Sequence, residues 1–121
     1  MTIKECYDAC GGNFEEVLGR FRSERLVVRF AGKFLADPSY AALKTSLEEK
    51  NYEEAFRAAH TLKGVCQNLG LTRLHLSSDR LTEVLRPGHE AERDAADVEK
   101  LFRTVTADYE LAVDAIGKLD S

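Results

Sequence analysis

Apolar residues recur every three or four positions along most of this chain. They seldom alternate in twos, so the pattern predicts helices and offers no strand-turn-strand unit or internal repeat. Residues 3–10 form a short first helix that Gly11-Gly12 stops. Asn13 then serves as an N-cap, with Glu16 at the capping-box position, and Val17, Leu18 and Phe21 carry helical spacing from Phe14 to Arg22. Ser23 either caps a fresh helix or is run through. Leu26, Val27, Phe30, Phe34 and Leu35 continue the pattern to Ala36. Asp37-Pro38 is the break, because proline disfavours helix in the residue before it and suits the first turn of the next helix.

Tyr40, Leu43 and Leu47 mark a helix ending near Lys50. Asn51 caps the next one, with Glu54 placed to complete a capping box, and Gly70 ends it as a C-terminal glycine should. Tyr52 and Phe56 lie near its start. Leu71, Leu74, Leu81 and Leu85 define the following helix, closed by Arg86-Pro87-Gly88. The last helix begins after His89 and is strongly periodic at Val98, Leu101, Phe102, Val105, Tyr109, Ala112, Ile116 and Leu119. Four longer helices with short connections point to an all-α fold. The expected form is an antiparallel up-and-down four-helix bundle, with the short extra N-terminal helix as a cap or lid.

At 121 residues the chain is expected to be one domain, 1–121, long enough to bury about two-thirds of its unfolded surface. A formal charge of −4, with no basic run or basic-aromatic interleaving, argues against nucleic-acid binding. No apolar run reaches the length of a membrane span, and the N-terminus turns polar and acidic too early for a signal peptide. The expectation is a cytoplasmic protein, with the initial Met1 pointing to a freestanding chain and monomer as the default state. Three cysteines make an odd number without a disulfide framework. Cys66 falls on an apolar stripe, and Cys6 and Cys10, one turn apart, are expected to be reduced packing residues rather than metal ligands.

One stretch, Arg57 to Gly70, holds more than packing demands. Ala55, Ala58, Ala59, Leu62, Val65, Cys66 and Leu69 form its apolar stripe. His60 lies almost opposite, with Gly64 one turn above it, Gln67 nearly two turns above, and Arg57 and Lys63 three residues to either side. A mid-helix glycine costs about 1 kcal/mol against alanine. Either a neighbouring backbone approaches Gly64 closely, or the glycine clears space beside the imidazole; its place on the His60 ridge favours the second. An open imidazole with a cation in reach suits a nucleophile that meets a bulky phosphoryl group.

The run Ala59-His-Thr-Leu-Lys-Gly64, followed by Asn68-Leu-Gly70, resembles the signature of the histidine-containing phosphotransfer (HPt) domains of bacterial multistep phosphorelays. The resemblance covers essentially the whole chain and implies that His60 is the phosphoryl acceptor in two-component signalling. Nε2 would attack an aspartyl phosphate on a receiver domain, and the phosphohistidine would later discharge to another receiver aspartate. Lys63 would offset charge on the phosphoryl oxygens and Gly64 would keep the imidazole accessible. Implied partners are response-regulator receiver domains, with a hybrid sensor kinase as a further one. No cofactor is expected on this chain, Mg²⁺ belonging to the receiver. No metal site is expected either, since the fourth position after His60 is glycine rather than a ligand.

In one place the chain departs from the family. Where members often carry a Gln or Glu that orients the imidazole, a gapless alignment puts Thr82. His75, Asp79, Thr82 and Arg86 form one polar stripe, from which Asp79 or Arg86 could help instead; Arg86 falls where some members carry an arginine. Gln67 is a further candidate for contact with the phosphoryl group. His75 and His89 otherwise read as polar surface residues. Phe14, Phe21 and Tyr40 are candidates for a partner surface, though burial suits each better. With no Gly-rich nucleotide loop, the chain is expected to be a carrier without autokinase activity. The alternatives are a non-phosphorylated helical interaction module of the same fold, for which Thr82 leaves room, and a metal-binding bundle.

Overall fold

The computed structural model describes residues 1–119. Among them are seven α-helices and one turn of 3₁₀-helix. They are α1 (Ile3–Ala9), α2 (Phe14–Phe21), α3 (Glu24–Phe34), α4 (Ser39–Glu48), α5 (Tyr52–Asn68), α6 (Thr72–Leu85) and α7 (Ala95–Gly117), with the 3₁₀ turn Glu90–Glu92 before α7. No strand occurs among the described residues, and none of their helices is long and apolar enough to cross a membrane.

Helix starts follow local chemistry. Asn13, Ser23, Asn51 and Asp94 each accept a backbone N–H of the first turn through the side chain. Arg22, in the left-handed region at φ 63°, ends α2, so Ser23 caps a separate helix. The two capping boxes expected at Asn13 and Asn51 are only half made. Their backbone N–H groups, which the glutamates would have accepted, donate instead to Gly70 O and Ser46 O, both at 2.8 Å. Glu16 and Glu54 turn to Arg20 and Arg57. Among the described residues, a full capping box forms only at Thr2 and Glu5. Pro38 occupies the cap position rather than the first turn, and Asp37 Oδ1 accepts the Ser39 N–H at 2.9 Å.

Helices α4 to α7 form the bundle, each packed on its successor across a short connection. Tyr40 closes it: its ring stacks on Tyr109 (4.0 Å between centroids) and Phe102 (5.8 Å), and its hydroxyl meets Thr106 Oγ1 at 2.8 Å. Tyr40 is thus a bundle seam, and Phe14 is buried beside Tyr7. Phe21 stacks on Phe30, 4.9 Å away. Two apolar positions of α3 and its end, Leu26 and Leu35, remain exposed.

The N-terminal segment caps one end of the bundle. Helix α5 finishes in a Schellman motif, with Gly70 at φ 68°, Leu71 N–H on Cys66 O and Gly70 N–H on Gln67 O. A Cβ on Gly70 would lie 3.0 Å from Asn13 O and 3.1 Å from Val17 Cβ, so both conformation and space demand glycine. Carbonyls left over at this helix end are taken from outside. Tyr7 donates to Leu69 O (2.6 Å), Asn13 N–H to Gly70 O, and Arg20 to the carbonyls of Gln67 and Asn68. His60 lies eight residues earlier, about 12 Å down the helix. The N-terminal helices therefore cap the end of α5 and do not form a lid over His60.

Cys6, Cys10 and Cys66 are all buried and free. Burial pushes the Cys66 thiol upward, as expected of a small core residue. Leu62 is fully buried on the side of α5 turned away from His60. Leu62→Ala should lower stability by about 2–5 kcal/mol. Urea denaturation checks this, and a loss under about 1 kcal/mol would remove Leu62 from the core.

Candidate functional site

Ala55, Ala59, Leu62, Cys66 and Leu69 of the expected stripe are buried, while Ala58 and Val65 sit at its edges, half-buried. That burial turns His60, Gly64 and Gln67 outward, all exposed. Neither ring nitrogen of His60 has a hydrogen-bond partner among the described residues. Its ring contact among those residues is with Phe56, one turn earlier: centroids 6.0 Å apart, planes within 19°. A Cβ built on Gly64 would meet nothing within 4 Å. Close backbone approach is thus excluded as the reason for this glycine, and the space above the imidazole is open.

Lys63 is held at the α5–α6 seam. Its ammonium lies 3.1 Å from Asp79 Oδ1, and the side chain is only 20% exposed. An ion pair this close to the surface adds little stability, about 0–1 kcal/mol. Its larger effect is positional, fixing a cation beside the His60 ridge. Arg57 is drawn the other way, to Glu53 and Glu54. Thr61 donates to Arg57 O (2.9 Å), staying within its own helix.

The polar stripe of α6 is a seam against α5 rather than a solvated flank. His75 Nδ1 donates to Lys63 O at 3.2 Å, and Asp79 pairs with Lys63. Three expectations need correction here. His75 is not an ordinary surface residue but a half-buried tie between the helices. Thr82 does not face the imidazole: it is fully buried and donates to Ser78 O at 2.7 Å. That bond satisfies the hydroxyl inside its own helix, which lets a polar residue lie on the inner edge of the stripe. His89 is also structural, with Nδ1 donating to Glu83 O at 3.0 Å.

Arg86 reaches the site by another route. Its guanidinium lies 5.3 Å from the centre of the Phe56 ring, which stacks on His60. Glu83 grips it with two bonds, Nε–Oε2 at 3.2 Å and Nη2–Oε1 at 2.7 Å. The Arg86 guanidinium in turn holds the Glu83 carboxyl below its usual range, with Lys63 and His89 adding smaller pulls. Gln67 remains on the exposed ridge two turns from His60, where its carbonyl, not its side chain, is engaged. Phe56 and Glu83 are the two site residues that sequence reading missed. The signal for Phe56 was its i, i+4 spacing to His60.

The fold and the site together define a helical-bundle module that displays one accessible histidine on its second bundle helix, beside a tethered lysine and a bare backbone. The family model described as "Hpt domain" matches residues 36–116, from the turn after α3 through nearly all of α7. The chain belongs to the Hpt domain family, whose members act in phosphotransfer within phosphorelays. Comparisons with curated proteins and with solved structures gave no match.

Proposed function

We propose that this chain is a phosphorelay carrier and that His60 is its phosphoryl acceptor. The observation that carries the reading is an exposed imidazole, both nitrogens unengaged among the described residues, with open space at Gly64, within a bundle of the Hpt family. Neutral imidazole attacks through Nε2 on the phosphorus of a receiver's aspartyl phosphate. The N–P bond forms as the P–O bond to the aspartate breaks, and that carboxylate leaves. Nδ1 keeps its proton, so the phosphorylated ring stays a good leaving group for the next receiver aspartate. Lys63 offsets charge on the three phosphoryl oxygens as they pass, and can exchange Asp79 for them.

On this reading the partners are receiver domains, which also hold the Mg²⁺, and the phosphoryl group originates in a separate kinase. The chain is a cytoplasmic monomer that carries the group without making it. A second reading, a bundle that binds partners without phosphorylation, is favoured by one observation: the burial of Thr82 where an orienting Gln or Glu is usual. Incubation with a purified, ³²P-labelled receiver decides between them. The expected label on this chain is stable to alkali and lost in acid, as a phosphoramidate is. Absence of label, or an acid-stable one, would refute the carrier reading.

A further inference from the structure

Given a phosphoryl-accepting His60, on which this inference rests, something must steady a ring that no hydrogen bond holds. We infer that Phe56 is its positioning residue: a stacked aromatic wall, braced by Arg86 and Glu83, takes the place of the missing polar partner. Four side chains are linked by successive contacts across the α5–α6 seam. Glu83 grips Arg86 through two bonds, the guanidinium lies 5.3 Å from the Phe56 centre, and Phe56 lies near-parallel to His60.

Each contact has a clear physical effect. Planar stacking limits rotation of the imidazole about Cα–Cβ and Cβ–Cγ while leaving its edge, where both nitrogens lie, uncovered. The cation over the Phe56 ring discourages that ring from swinging away. A hydrogen bond to Nδ1 would set the ring by its edge; here the ring is set by its face. Lys63 cannot substitute, because an ammonium only donates hydrogen bonds, whereas an Nδ1 that keeps its proton needs an acceptor. Thr82 cannot, because its hydroxyl is buried on Ser78 O.

A stacked aromatic pair favours its geometry by roughly two- to tenfold. Phe56→Leu and Phe56→Met, at a half-buried position, should therefore lower kcat for transfer from a labelled receiver about three- to tenfold. KM for that receiver should stay within about twofold, because the rate loss comes from ring orientation and not from docking. Phe56→Tyr and Phe56→Trp should restore the wild-type rate, which a purely packing role would not predict for both the larger ring and the polar one. The experiment uses the full chain, with helix content checked by circular dichroism and Phe56→Met as the alternative if Phe56→Leu is poorly folded. Wild-type kcat in the aliphatic variants, a loss confined to KM, or failure of both aromatic variants to rescue would overturn the inference. Such results leave the carrier reading intact provided the wild type is labelled; an unlabelled wild type overturns both.

Discussion

A chain carrying His60→Gln takes no phosphoryl group from a labelled receiver, yet keeps the helix content of the wild type and its stability to within about 1.5 kcal/mol. The two halves of that result have separate causes. Glutamine reaches about as far as histidine, but its amide nitrogen has no free lone pair, so no nucleophile remains. The fold is spared because His60 is exposed and its recorded contact is the stack on Phe56. The other two histidines offer poor substitutes: His75 and His89 are half-buried, each with Nδ1 on a carbonyl. Phosphate with the lability of phosphohistidine, measured on both proteins after identical exposure to the receiver, checks this. Equal labelling of the variant would move the acceptor away from His60. Loss of helix in the variant would mean that the ring is part of the core after all.

Where a residue's role is set by its own helix, the sequence revealed it. Asn13, Asn51 and Gly70 act at the helix ends that their chemistry specifies, and the outward ridge of α5 follows from burial of Leu62 and Cys66 on the other side. Errors arose where a second segment competes for the same group. Glu16 and Glu54 fail to complete capping boxes because Gly70 O and Ser46 O reach the cap N–H groups first, and tertiary partners are invisible to a local motif. Thr82 illustrates the same limit at the site. Helical geometry puts it on one stripe with His75, Asp79 and Arg86, but only the packed bundle shows that this stripe is a seam and that its inner edge is dry. Phe56 was placed as a residue near a helix start, although its spacing to His60 already allowed a stack; what remained hidden was Arg86, arriving thirty positions later to brace it.

Gly64→Ala should make the protein more stable and a poorer carrier. Alanine is preferred over glycine within a helix by about 0.5–1 kcal/mol, and the added methyl meets nothing within 4 Å, so no steric penalty offsets the gain. Gly64→Val gains less, because its branched side chain loses rotamer freedom against the preceding turn, but it still folds. Transfer responds in the opposite direction. The substituent stands one turn above the imidazole, in the space that the proposed carrier role assigns to an approaching aspartyl phosphate. A displacement of about 1 Å from in-line geometry can cost about a hundredfold in rate. The expected order of transfer is therefore glycine, then alanine, with valine about a hundredfold below glycine. Urea denaturation and single-turnover transfer from a labelled receiver, run on the same three proteins, give both series. Wild-type transfer by the valine variant would show that nothing bulky passes over position 64. Destabilisation by alanine would show that the backbone there is crowded. If the two series diverge as expected, the folded chain alone does not account for this glycine. Its helix is weaker for it, and the compensating gain lies in admitting a partner that the bundle itself never touches.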